Sequence, residues 1–165
     1  MKDYFVEQAD YQHWDSNEIF KSLDYLSEQQ RKANIGLFFH DIHKTVDHIL
    51  IVTRNWRARF AGEFDKVKSY DALLYPDWEE LKSAVLNEFS QLKGWLIQKN
   101  PDWYREVIEY PAADGRNRRV SVTDGLTHVM THAVHHRGQI SAVCTRLHAP
   151  SPEMDFVFYR SRRGP

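Results

Sequence analysis

Thr131-His132-Ala133-Val134-His135-His136-Arg137-Gly138-Gln139-Ile140 concentrates ionisable groups in what otherwise reads as a core-facing helix. His132 and His136 stand four residues apart, so on an α-helix their imidazoles share one face, one turn from each other. Two neutral imidazoles at that spacing make a half-site for a transition metal such as Zn, Ni, Cu or Fe. The same spacing occurs on many helices that bind nothing and whose histidines make ordinary hydrogen bonds. A stable metal site therefore requires a third protein ligand from another helix. The zincin arrangement is excluded, because that motif places Glu directly after its first histidine and Ala133 stands there.

Around this stretch a helix is expected from Ser121 or Thr123 to about His148, with Pro150 and Pro152 marking its end. Leu126, Val129, Met130, Ala133, Ile140, Cys144 and Leu147 form its apolar stripe. At about 100° per residue, His132 and His136 lie on one margin of that stripe with Gln139 and Val143, and His135 points towards solvent. Gln139 is a candidate hydrogen-bond partner on the ligand side. Arg137 projects near the middle of the stripe, and a buried guanidinium demands a carboxylate or several acceptors. Asp41 and Asp47 are its conceivable partners.

Upstream, Phe38, Ile42, Val46, Ile49, Thr53, Trp56 and Phe60 recur at steps of three and four, which predicts a helix from Leu37 to Phe60, stopped by Gly62. His48 falls at the margin of this stripe, where it can look sideways into a cleft between helices. His40 lies on a similar flank, and His43 points further round towards the polar face. A first helix is expected from Asp3, a candidate cap, to about Leu26, with Trp14 in the core and His13 at its edge. A third starts at Asp77, carries Leu81, Val85, Phe89, Leu92, Leu96 and Ile97 on its apolar face, and ends at Asn100-Pro101. Glu63 to Pro76 reads as a loop. Val107 to Tyr110 and Arg118 to Val122 flank an Asp114-Gly115 turn and read as a β-hairpin. The apolar stretch Met154 to Tyr159 is expected to close over one end of the helices.

With 165 residues, one domain with a sizeable core is expected. The 42% hydrophobic and 13% aromatic content and the 22 basic against 23 acidic residues describe a globular chain with no electrostatic footprint for nucleic acid. Arg160, Arg162 and Arg163 form the one basic cluster and read as a solvated tail. Met1 to Glu7 has no apolar segment of the signal-peptide kind, and no run reaches the roughly 18 apolar residues of a spanning helix, so a cytoplasmic protein with no membrane partner is expected. Cys144 is the only cysteine, which fits a reducing compartment and a buried packing role.

Three stretches together resemble the DinB-like superfamily of metal-binding four-helix bundles. Tyr11-Gln12-His13-Trp14 is similar to that family's Y-N-x-W pattern, with Gln12 and His13 departing in detail. Ile42-His43-Lys44-Thr45-Val46-Asp47-His48-Ile49-Leu50 and the following Arg54-Asn55-Trp56 resemble its I-H-x-T-L-x-H-L and D-x-x-W stretches, with Arg54 and Asn55 near where an acidic residue is often found. His128 to Gln139 resembles its H-V-x-N-H-x-x-H-H-R-G-Q signature, with Thr131 in place of Asn. The resemblance implies an all-α fold, an up-down-down-up four-helix bundle with a short hairpin before the last long helix, often as a homodimer. It makes His48, His132 and His136 the three ligands of a divalent metal, Zn or Ni foremost; His128, one turn before His132, is by its spacing the best candidate for an outer partner. Some members are metal-dependent transferases or isomerases that use low-molecular-weight thiols such as mycothiol or bacillithiol, and many have no assigned activity. A thiol S-transferase acting on a small molecule is therefore the leading expectation. The alternatives are a metal-dependent hydrolase with water as nucleophile and a non-catalytic, stress-related metal-binding protein.

Overall fold

The computed structural model describes residues 1–112 and 115–162. In chain order the elements are α1 (Lys2–Leu23), α2 (Glu28–Arg31), α3 (Ile42–Phe60), α4 (Trp78–Ile97), a 3₁₀ turn (Trp103–Arg105), β1 (Val107–Pro111), β2 (Asn117–Ser121), α5 (Val122–Arg146) and α6 (Phe156–Ser161). The molecule is thus mostly helical, with a two-stranded antiparallel hairpin that pairs Val107 with Ser121 and Pro111 with Asn117. Three of the long helices begin at side-chain caps that satisfy first-turn amides: Asp41 accepts from Lys44 N at 2.7 Å, Asp77 from Glu80 N at 2.9 Å and Ser121 from Asp124 N at 3.0 Å.

Apolar stripes on the four long helices meet in one core that includes Phe5, Ile19, Leu23, Ile42, Ile49, Leu81, Phe89, Leu92, Leu126 and Ile140. α1 and α3 each pack against both α4 and α5. Asp24 meets Lys82 while Asp10 meets Lys93, so α1 and α4 run in opposite directions. His43 lies by Trp78 while Arg57 reaches Glu88 and Gln91, so α3 and α4 run the same way. His48 faces His132 while Trp56 meets His128, so α3 and α5 are opposed. A Cβ at Gly125 would come within 2.8 Å of the Trp56 and Phe60 rings, so the close approach of α5 to the end of α3 requires glycine there.

Several boundaries and faces differ from those expected. α1 begins at Lys2, with Asp3 inside its first turn rather than capping it, and ends at Leu23 because Ser27 opens the capping box of α2. α3 starts at Ile42, not Leu37: Asp41 caps it, and the chain before it turns through a Leu37–His40 bridge with His40 at φ 71°. Phe38 is consequently 80% exposed instead of lying on the core stripe. Ile97, at the end of α4, is 49% exposed for the same end-of-element reason. His43 is buried rather than on a polar face, because residues 61–77 fold over it and Tyr75 O takes its Nε2–H at 2.7 Å. Trp14 is half-buried, stacks on Tyr11 and meets Tyr159 of the C-terminal segment at a tilt.

That segment is packed down, as its apolar composition requires, but along the middle of α1 rather than over one end of the helices. Tyr159 is buried and donates to Asp10 Oδ2 at 2.8 Å, and Tyr11 donates to Met154 O at 2.7 Å. Arg160 pairs with Glu7 and Arg162 with Glu18 and Glu153, so these two arginines are tied down rather than free in solvent. Arg163 and the Asp114 of the expected turn lie outside the described residues. Among the described residues no helix is long and apolar enough to cross a membrane.

Candidate metal centre

α3 supplies His48 and α5 supplies His132 and His136, and the opposed packing of the two helices brings all three Nε2 atoms to one point. His132 Nε2 lies 3.1 Å from His48 Nε2 and 3.2 Å from His136 Nε2. Tetrahedral ligands at zinc–nitrogen distances would be ~3.3 Å apart, close to this spacing. The outer nitrogens fix the tautomers. His48 Nδ1–H donates to Tyr70 O at 2.8 Å, and His136 Nδ1–H donates to Gln139 Oε1 at 2.9 Å, which leaves both Nε2 lone pairs directed inward.

His132 Nε2 can direct a proton at only one of its two neighbours, so at least one contact sets lone pair against lone pair. Burial also removes the alternative of protonating the cluster. It holds His48 down at about 4 and, together with repulsion from His136 and His48, His132 down at about 3; His136 is lowered chiefly by burial. Three neutral imidazoles crowded around one point match the donor set of a bound transition-metal ion.

The site opens on one side. A cavity of about 550 Å³ is walled by Phe38, Phe39, His40, Lys44, His48, Tyr70, Asp71 and His136. Phe39 stacks on His48 with ring centroids 3.8 Å apart and meets His136 edge-on at 5.8 Å, shielding the cluster from bulk water. Phe39 and Tyr70 are the site neighbours that periodicity does not reveal, since both lie on irregular segments before and after α3. The signal available for Phe39 was its place beside Gly36 and Asp41, a turn and a helix cap.

The other histidines divide by position. His40 reaches the cavity rim, His135 is exposed with its ring edge-on to His136, and His13 lies on α1 outside the cluster. His128 stands one turn before His132, its ring 5.5 Å away, and packs on Trp56 at 5.2 Å instead of hydrogen-bonding a ligand nitrogen. Gln139 does take the outer proton of His136, the role its spacing suggests.

Arg137, next to His136 on α5, turns to α1 and not to either expected aspartate. Its Nε donates to Asp15 Oδ2 at 2.7 Å, Nη1 to Ser16 Oγ at 3.2 Å and Nη2 to Gln12 Oε1. Asp41 is occupied as the α3 cap and Asp47 with the amides of Leu74 and Tyr75, so neither reaches Arg137. The signal for the true partners is on α1: Gln12, Asp15 and Ser16 interrupt the core-facing row that runs from Phe5 and Ala9 to Ile19 and Leu23.

A mostly helical protein with a neutral three-histidine cluster at the base of an aromatic-walled cavity is the class that fold and site define. The model of the DinB family matches residues 1–163, and the chain belongs to that family. It is similar to Protein DinB of Bacillus subtilis (strain 168), with 22% identity over 167 residues that cover 96% of this chain and 95% of that protein.

Proposed function

We propose that His48, His132 and His136 hold one divalent transition metal, Zn or Ni, and that this centre serves a thiol-dependent S-transfer to a small electrophile. The observation that carries the metal is the convergence of three Nε2 atoms, two with lone pairs fixed inward, where burial keeps every imidazole neutral. A divalent ion held there supplies Lewis acidity and lowers the pKa of a bound thiol or water.

Three features of the chain support a small-molecule thiol. Cys144 is buried and its thiol is pushed up to about 11, so the protein lends no nucleophilic sulfur of its own. The cavity offers Phe38 and Phe39 to an apolar electrophile and Lys44 to an anionic group on the thiol. Among the described residues the only carboxylate in its wall is Asp71, at the exposed rim and hydrogen-bonded to Ser69, a poor position for the general base that water attack requires. The helix directions further support an up-down-down-up bundle, and the same reading takes the chain as one cytoplasmic domain that forms a homodimer.

Incubation of the metal-loaded protein with an epoxide, with and without a panel of low-molecular-weight thiols, tests the reaction. Turnover that rises with thiol concentration is expected. Equal turnover without thiol would establish hydrolysis instead. No turnover, together with a melting temperature that drops on adding chelator, would leave a non-catalytic metal protein.

A further inference from the structure

Residues 61–77, between α3 and α4, are held along their length by one row of buried polar side chains on α3. His43, Asp47, Asn55 and Arg59 recur at multiples of four, so they follow one ridge that winds gradually around the helix. Asn55 grips Val67 with both ends of its amide, donating to Val67 O at 2.7 Å and accepting from Val67 N at 3.0 Å. Arg59 takes Asp65 with two hydrogen bonds, at 2.7 and 2.6 Å, and donates to the Tyr70 hydroxyl at 2.8 Å. At the other end Asp47 Oδ2 accepts from Leu74 N at 2.7 Å and Tyr75 N at 3.4 Å, and His43 Nε2–H donates to Tyr75 O. Between these anchors lies the Tyr70 carbonyl, which receives the outer proton of His48.

We infer that Asp47, seconded by His43, is a positioning residue for the three-histidine centre: by fixing the segment from Tyr70 to Tyr75 it holds the carbonyl that sets the tautomer and ring orientation of His48. Asp47 is adjacent to His48 in sequence but faces away from the cluster, so it acts only through the loop. Asp47 is buried, with Oδ1 unpartnered among the described residues and burial raising its carboxyl, yet Oδ2 serves two backbone amides, and removing the side chain frees both at once. Once the carbonyl drifts, His48 is free to carry its proton on Nε2, where it blocks the lone pair the site needs. Outer partners of this kind contribute on the order of 10–100-fold to metal affinity.

The inference rests on the metal reading for its affinity arm but not for its structural arm. In metal-free protein, imidazole ¹⁵N NMR should show His48 protonated at Nδ1 in the wild type and as a mixture of tautomers in Asp47→Ala. Zinc affinity, measured by competition with a chelating dye, should fall on the order of 10–100-fold in Asp47→Ala. Asp47→Asn keeps an acceptor oxygen and should recover most of both signals. Asn55→Ala is the control for a merely structural effect: it releases the loop at Val67, should lower the melting temperature, and should leave the His48 tautomer and zinc affinity near wild type. Should Asp47→Ala fail to fold, His43→Phe removes the bond to Tyr75 O with little change of shape and should give the same mixed tautomer. A wild-type tautomer in both Asp47→Ala and His43→Phe, or affinity losses in Asn55→Ala equal to those in Asp47→Ala, would overturn the assignment. Wild-type protein that takes up no zinc would refute the metal reading, and the tautomer measurement would still decide the role of Asp47.

Discussion

His136 and Arg137 are neighbours on α5, yet they face different helices and the clusters they join are satisfied in opposite ways. Around Arg137 every contact sets a donor against an acceptor: the guanidinium of α5 meets Asp15, Ser16 and Gln12 of α1, with both members of the ion pair 2% exposed. Around His132, at least one of the two nitrogen contacts, to His48 or to His136, sets acceptor against acceptor, and burial lowers the pKa of all three imidazoles so that the cluster stays uncharged. Burial raises the Asp15 carboxyl and the Arg137 guanidinium opposes that shift by charge and hydrogen bond, so the pair supplies its own counter-charge, although Asp15 Oδ1 and Gln12 Nε2 are left buried without a hydrogen-bond partner among the described residues. Among the described residues the histidines have no such internal counter-charge, and their three nitrogens could hold a metal ion. A polar cluster with its own ion pair ties helices together, whereas an unpaired one beside a cavity is a candidate ligand site.

The difference is broken most severely at Arg137. Arg137→Ala strands a buried carboxylate and should cost about 3–5 kcal/mol in urea unfolding, whether or not metal is present. The double variant Arg137→Met with Asp15→Leu should recover most of that loss, as expected when a buried ion pair is exchanged for packed apolar groups. Gly125→Ala, which pushes a methyl into Trp56 and Phe60, should cost about 1–3 kcal/mol by overpacking where α3 and α5 meet.

Acid separates the two clusters further. Folded His48 and His132 titrate at about 4 and about 3, below the ordinary histidine value of 6.5. The unfolded chain therefore binds more protons than the native one throughout that interval. Metal-free protein should keep full stability from this source above 6.5 and lose it progressively as pH falls towards 4. Urea midpoints of His132→Ala should fall less steeply over that window than those of wild type. The smallest effect belongs to His135, which is exposed and outside the cluster: His135→Ala should change stability by less than about 0.5 kcal/mol and leave metal affinity unchanged.

The histidine cluster is legible in the sequence because each of its three members sits on a regular helix, where spacing fixes direction. His132 and His136 share a face by their interval, and the wheel set His48 at the margin of its own stripe. The resemblance to the DinB-like superfamily selected the same three residues. What escaped the periodicity lies on irregular chain or depends on contacts across more than a hundred residues. Phe38 continued the apolar rhythm of α3, but Asp41 capped the helix after it and left the ring in solvent. His43 read as polar-facing because nothing in its own helix shows that residues 61–77 fold over it. Arg137 announced that it needed a partner, while the identity of that partner depended on which helix packs beside α5, a fact of tertiary structure that no local pattern carries.

The most direct measurement is titration of zinc or nickel into metal-free protein, with stoichiometry read by calorimetry and elemental analysis. Wild type should take up one ion per chain with tight, pH-dependent affinity, and His48→Ala, His132→Ala and His136→Ala should each lose that uptake while remaining folded. Equal uptake by wild type and all three variants, or none by wild type, would contradict the assignment of the cluster as a metal centre.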